Sequence, residues 1–149
     1  MSLPEDLEIV LETPPDPEDQ RLIVEGLIAF NRAMVPPMPY TPMTFMVREP
    51  SGRKLGGIDG WISFGWMFVK NFWLPEDLRG HGLGRQLMAA AEREARRQGC
   101  VGIHLDTFDF QARGFYEKLG FEVFAELADF PPPGHRRFFL KKMLRAEAT

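Results

Sequence analysis

Apolar and polar positions change period several times along the chain, and each change predicts an element. Leu7 to Glu12 alternates apolar with acidic residues, as an edge strand would, before the turn Thr13-Pro14-Pro15-Asp16-Pro17. From Glu18 to Val35 the period becomes helical. Leu22, Ile23, Leu27 and Phe30 form an apolar stripe, Glu18 and Asp19 suit the positive end of the helix dipole, and Pro36-Pro37-Met38-Pro39 stops the run. Met43 to Glu49 and Lys54 to Trp61 read as strands of a hairpin turned at Pro50-Ser51-Gly52. A further strand from Trp66 to Leu74 places Trp66, Phe68, Lys70, Phe72 and Leu74 on one face, and Met67, Val69, Asn71 and Trp73 on the other.

Gly82 to Gln98 repeats apolar residues at Leu83, Leu87, Ala91 and Ala95, carries Arg96 and Arg97 in its last turn and stops at Gly99, which predicts a helix. Cys100 to Thr107 then reads as a buried parallel strand, Phe110 to Leu119 as a helix closed by Gly120, and Phe121 to Leu127 as a strand. The prolines between Asp129 and Gly134 require a loop before a last strand from His135 to Leu144. Strand, helix, strand meander, helix, strand, helix and two strands predict one α+β domain over residues 1–149, layered around a mixed sheet. No internal repeat or linker divides the 149 residues.

Composition narrows the classes of partner. A formal net charge of −3 and the lack of a long basic run argue against nucleic acid, while leaving cationic substrates open. Cys100 is the only cysteine, so neither an internal disulfide nor a cysteine-based metal cluster can form, and a cytoplasmic location is expected. His81, His104 and His135 have no ligand spacing, so no metal is expected. The acidic N-terminal residues Met1 to Glu12 lack the apolar core of a targeting signal, and no apolar run is long enough for a membrane span.

Candidate chemistry concentrates in Arg79-Gly80-His81-Gly82-Leu83-Gly84, between a strand and a helix. Glycines let backbone N–H groups converge on an anion, and a helix N-terminus adds unpaired donors and partial positive charge, so the expected ligand carries phosphate. A nucleotide P-loop would need Lys-Ser/Thr where Arg85 and Gln86 stand. A dinucleotide fingerprint would need its third glycine one residue later than Gly84; Asp106, at the end of the next strand, is where its ribose-binding acid would fall.

A third device, Arg/Gln-x-x-Gly-x-Gly/Ala, is matched by Arg79, Gly82 and Gly84. A second block, Asp109-Phe110-Gln111-Ala112-Arg113-Gly114-Phe115-Tyr116-Glu117-Lys118-Leu119-Gly120-Phe121, follows the pattern Asn-x-x-Ala-x-x-Phe/Tyr-Tyr-x-x-x-Gly-Phe, with Asp109 in place of asparagine. With both blocks in order, the chain resembles the GNAT superfamily of acyl-CoA-dependent N-acyltransferases, firmly over residues 66 to 127. The resemblance implies a three-layer α/β/α domain whose mixed, mostly antiparallel sheet contains a splayed central parallel strand pair. It implies acetyl-CoA as cofactor, an amine acceptor and direct transfer without a covalent enzyme intermediate.

On that resemblance the loop amides from Gly80 through His81, Gly82, Leu83 and Gly84 to Arg85 hold the pyrophosphate, with Arg79 and Arg85 as charge partners. Trp73, Leu74, Asp109, Ala112, Phe115 and Tyr116 complete the cofactor site, and Leu74 N–H points at the thioester carbonyl. Tyr116 becomes the donor of a proton to the departing thiolate. The general base is open: the strand before the loop offers Lys70 and Asn71 where some relatives carry glutamate, leaving Asp59 and Asp106 as candidates. Trp61, Phe64, Trp66, Phe72, Trp73 and Phe108 are candidates to line an acceptor pocket, and His135-Arg136-Arg137 with Lys141 and Lys142 forms a small basic cluster. The missing strand carboxylate keeps a non-catalytic acyl-CoA sensor as the alternative. Edge strands and abundant aromatic residues leave room for a homodimer.

Overall fold

The computed structural model describes residues 2 and 4–145. It contains two compact units, Met1–Pro37 and Met38–Thr149. In the first, helix α1 spans Pro17–Met34. Pro17 fixes its first φ, and the Asp16 carboxylate accepts the Glu18 N–H at 2.9 Å. Glu18 and Asp19 occupy the first turn and Arg32 the last, while extended Val35 ends the helix before the proline pair. The unit offers α1 no second element, and Leu22, Ile23, Leu27 and Phe30 are all exposed. The strand expected over residues 7–12 does not form: these residues pair with no neighbour, and alternation without a partner leaves the backbone merely extended.

The second unit is a six-stranded sheet of order β1-β2-β3-β4-β6-β5. Its strands are β1 (Thr41–Arg48), β2 (Lys54–Ser63), β3 (Trp66–Trp73), β4 (Gly102–Phe108), β5 (Glu122–Ala128) and β6 (Arg136–Met143). All neighbours are antiparallel except β3 and β4. The parallel pair is connected through α2 (Leu83–Arg97), and β4 leads to β5 through the short α3 (Arg113–Lys118). This is the mixed α+β arrangement expected from the sequence. The largest fully buried side chains, Met67, Ile103 and Leu140, lie with Val69 and Leu105 on the sheet face that meets Met88, Ala91 and Ala95 of α2 and Tyr116 of α3. Burial of this apolar face, at about 25 cal/mol per Å², is the main stabilising term.

The alternation expected along β3 breaks in the middle. Asp59 of β2 pairs with Asn71, but the next residue, Gly60, pairs with Val69, so Lys70 is an extra residue in a β-bulge. The bulge reverses the faces downstream. Phe72 packs against the same core as Met67 and Val69, and Leu74 is 6% exposed, whereas the uninterrupted pattern had set Phe72 and Leu74 opposite Met67 and Val69. Gly60 is required beside the bulge because a Cβ there would collide with the Phe68 carbonyl.

Candidate functional site

The bulge marks the place where the sheet opens. β3 and β4 are paired from Trp66↔Gly102 only as far as Val69↔Leu105. Beyond Lys70, β3 remains joined to β2 and β4 remains joined to β6, so the facing edges of residues 70–73 and 106–108 separate. Unpaired strand edges inside a sheet carry backbone donors and acceptors that an extended ligand can satisfy. The end of β4 is held by Gln111, whose Oε1 accepts from Thr107 Oγ1 at 3.0 Å and from Phe108 N–H at 2.9 Å. Pattern reading missed this clamp.

After β3, a short 3₁₀ turn over Glu76–Leu78 leads into the glycine loop. Gly82 caps α2 with φ 84° and ψ 1°, a left-handed conformation that a side chain adopts only with strain. No side chain caps this helix and no acid occupies its first turn. Gln86 N–H is the donor that bonds back to Gly82 O, so the amides of Leu83, Gly84 and Arg85 precede the intrahelical ladder. Nothing lies within 4 Å of where a Cβ on Gly80 or Gly82 would stand, and His81 and Arg85 are exposed. The result is a concave, positively polarised backbone surface suited to an anion. Gly84 is glycine for another reason: its Cβ would lie 3.2 Å from Phe115 Cζ and 3.3 Å from Phe72 Cζ, so α2, α3 and the splayed end of β3 meet there.

Arg79 was expected to be a charge partner of the ligand. Its Nε donates to the Leu74 carbonyl at 2.9 Å, fastening the loop to the end of β3. Trp73 is exposed beside buried Leu74. Asp109 was expected to begin the third helix, but Ala112 holds the cap position without a side-chain hydrogen bond. Asp109 Oδ1 instead lies 3.1 Å from His135 Nδ1, and its N–H donates to Arg136 O, joining residues after β4 to the start of β6.

Tyr116 is 7% exposed and surrounded by Phe72, Phe115 and Phe121, at ring-centroid distances of 6.3, 5.2 and 5.9 Å. Burial, supplemented by the charge of Asp106, pushes its phenol up to about 12. The hydroxyl therefore keeps its proton throughout the neutral range and can donate it.

The two carboxylate candidates have different surroundings. Asp106 Oδ1 accepts both Nε and Nη2 of Arg137, at 2.9 and 2.6 Å, and the guanidinium also stands over Phe108, Phe130 and Phe139. Such an engaged carboxylate is a poor free base. Asp59 Oδ1 accepts the Asn71 N–H at 3.0 Å, and the residue lines an open cleft of about 440 Å³ with Tyr40, Thr44, Trp61 and Lys70. Of the aromatic acceptor candidates only Trp61 lines this cleft; Phe72 packs in the core, while Phe108 stacks on Phe110.

The remaining candidates fall outside this geometry. Cys100 is 3% exposed, and burial with the nearby Glu94 charge raises its thiol, the opposite of an activated nucleophile. His104 stacks on Phe68 at 4.7 Å, and burial lowers its pKa. The basic residues of β6 are dispersed into pairs: Arg136 with Glu126, Lys141 with Glu122 and Lys142 with Glu92. Among the described residues no group of three or more His, Cys, Asp or Glu could hold a metal, and no helix is long and apolar enough to cross a membrane.

Comparison with known proteins agrees with this geometry. The model of the Acetyltransferase (GNAT) family matches residues 10–121. Blasticidin-S acetyltransferase of Streptomyces morookaense is 42% identical over 82 residues, a match spanning 54% of this chain and 60% of that protein. Acetyltransferase Atu2258 of Agrobacterium fabrum is 32% identical over 121 residues, covering 81% of this chain and 88% of the relative. The crystal structure of an acetyltransferase from Bacillus cereus superimposes with a TM-score of 0.81 at 28% identity, over 91% of this chain and 98% of that one.

Proposed function

We propose that this chain, which belongs to the GNAT acetyltransferase family, moves the acetyl group of acetyl-CoA directly to a primary amine. The observation that carries the reading is the conjunction of an uncapped helix N-terminus with an opened parallel strand pair in one unit. The amides of Gly80 to Arg85 take the pyrophosphate, and the separated edges of β3 and β4 take the pantetheine arm. Acetyl-CoA supplies an acetyl group already activated as a thioester. Leu74 N–H is assigned to the thioester oxygen, at a strand end braced by Arg79.

Tyr116 holds a proton at its phenol oxygen and donates it to the departing thiolate. An amine that arrives neutral attacks without a base from the chain: as the C–N bond forms and the C–S bond breaks, the proton that the nitrogen sheds passes through solvent and restores the Tyr116 phenol. Of the two carboxylates, Asp59 belongs to the acceptor side and Asp106 serves, through Arg137, to position the end of β4.

Replacing Tyr116 by Phe is expected to lower kcat by at least about tenfold while leaving CoA affinity near its original value. Thiol release with a panel of amines measures the first, and thermal stabilisation by CoA the second. The name of the Streptomyces relative makes blasticidin S the first amine to include. Because the phenol is displaced upward to about 12, kcat of the parent protein should show no falling alkaline limb below about pH 10. Unchanged turnover in Tyr116→Phe would remove Tyr116 from the mechanism. Stabilisation by acetyl-CoA without thiol release from any amine would support the sensor reading, for which β3 offers an observation: its splayed end carries Lys70 and Asn71 and no carboxylate.

A further inference from the structure

The cleft between β1 and β3 gathers polar, charged and aromatic side chains on the sheet face turned away from the α2 core. Pro42 and Thr44 of β1, Asp59 and Trp61 of β2, and Lys70 of β3 line it, with Tyr40 at its end. The aliphatic core lies on the opposite face, to which Ile58, Ile62, Met67 and Val69 project, while on the cleft face Trp61 packs on Phe68 with ring centroids 4.9 Å apart. The cleft holds an aromatic pair, a carboxylate and an ammonium. Tyr40 and Trp61 stand 6.1 Å apart at 43°, and Lys70 Nζ lies 5.9 Å from the Trp61 ring centroid.

Asp59 and Lys70 share the cleft without forming an ion pair with each other, and neither pairs with another charged side chain among the described residues. Opposite charges this close that remain unpaired are available to a ligand carrying both signs. The volume, about 440 Å³, is that of a small-molecule site. Its position is equally informative. Lys70 is the bulged residue at which β3 leaves β4, so the cleft adjoins the mouth of the opening in the sheet.

We propose that this cleft is the acceptor subsite and that it selects an amphoteric amine, with a flat ring against Trp61 and Tyr40, a cationic group on Asp59 and a carboxylate on Lys70. The identity of the reaction rests on the acetyl-transfer reading above; the ligand chemistry rests on the cleft alone. A ring lying on Trp61 gains stacking, and a cation beside it gains from the ring face. Asp59 keeps its Asn71 contact through Oδ1 and presents its second oxygen to the ligand. Lys70 is exposed and, among the described residues, its ammonium meets the Trp61 ring and no carboxylate, so it can turn to an incoming carboxylate.

Three probes separate the charges. Para-aminomethyl-phenylalanine carries the ring, a carboxylate and two amines, the aminomethyl group to be acetylated and the α-ammonium for Asp59; para-aminomethyl-phenethylamine lacks the carboxylate; para-aminomethyl-hydrocinnamate keeps the carboxylate and lacks the second ammonium. Calorimetry on the CoA-loaded protein should find the first binding about tenfold more tightly than either trimmed probe, the equivalent of one charge-assisted hydrogen bond. Lys70→Met should erase the advantage over the phenethylamine and retain that over the hydrocinnamate, and Asp59→Asn should do the reverse. Asn preserves the acceptor that Asn71 N–H needs, so folding is not at issue in that variant. Equal binding of all three probes, or variants that weaken all three by one factor, would overturn the proposal. Thiol release with acetyl-CoA is read in parallel. Charge-selective binding without release retains the subsite and sinks acetyl transfer, whereas release from all three at equal kcat/KM retains transfer and sinks the subsite.

Discussion

The chain begins its two long helices in opposite ways. α1 is finished by its own residues: Asp16 caps it from an extended conformation, φ −84° and ψ 126°, Pro17 removes one unpaired donor, and Glu18 and Asp19 neutralise the positive pole. α2 begins at a left-handed glycine, without a side-chain cap or a first-turn acid, and carries Arg85 in the third helical position that Asp19 fills in α1. Glycine in place of a capping side chain costs a helix roughly a few tenths of a kcal/mol. α2 can bear that cost because Leu87, Met88, Ala91 and Ala95 are buried along its length, whereas α1 buries none of its residues within its own unit. The end that needs intrinsic support has it, and the end anchored by packing is left open for an external anion.

The largest effect should come from closing that open end. Gly82→Val puts a β-branched residue at φ 84°, where L-residues are strained by about 1–2 kcal/mol, and sets its branches beside the loop amides. Stabilisation by acetyl-CoA should disappear, with an affinity loss of at least about a hundredfold, which is about 2.7 kcal/mol. Gly82→Asn is the sharpening control, because asparagine adopts the left-handed conformation and nothing within 4 Å obstructs its Cβ. If the valine variant binds CoA normally, the contrast between the two helix ends has no functional meaning.

A smaller effect is expected from giving α2 the electrostatics of α1. Arg85→Glu puts an acid in the position corresponding to Asp19, opposes the pyrophosphate and offers the first-turn amides an internal partner. CoA affinity should fall about tenfold at low ionic strength and partly recover with salt. Calorimetry in a salt series checks this. Equal affinity at every salt concentration would mean that the pole of α2 does not meet an anion.

The same contrast explains how much the sequence disclosed. Helix ends are governed by residues within a turn of each other, so both helices were bounded to within a residue or so, and the open glycine loop was recognisable as an anion device. Strand limits held nearly as well where alternation was regular. What escaped detection depends on residues distant in sequence. The bulge at Lys70 reflects pairing across to Asp59 and Gly60, and its local trace was a polar Lys70-Asn71 step in an otherwise apolar strand. The engagement of Asp106 by Arg137 joins residues 31 apart, and the acceptor cleft collects residues from Tyr40 to Lys70 across three strands. Residues 7–12 show the converse error: alternation expresses a local preference, but a strand also requires a neighbour.

The smallest effect completes the contrast from the other side. Asp16→Ala removes the oxygen that accepts the Glu18 N–H at 2.9 Å. Within its own unit α1 has no buried contact to compensate, so the full cost of an N-cap, about 1 kcal/mol, should appear as faster hydrogen exchange over the first turn. Helical ellipticity should fall slightly, and acetyl-CoA affinity should not change, because the glycine loop and the opened strands assigned to the cofactor belong to the other unit. An unchanged exchange rate would show that Pro17 and the first-turn acids suffice to start α1. A loss of CoA affinity matching that of Arg85→Glu would be more damaging, since it would mean that the two helix starts do not divide structure from binding.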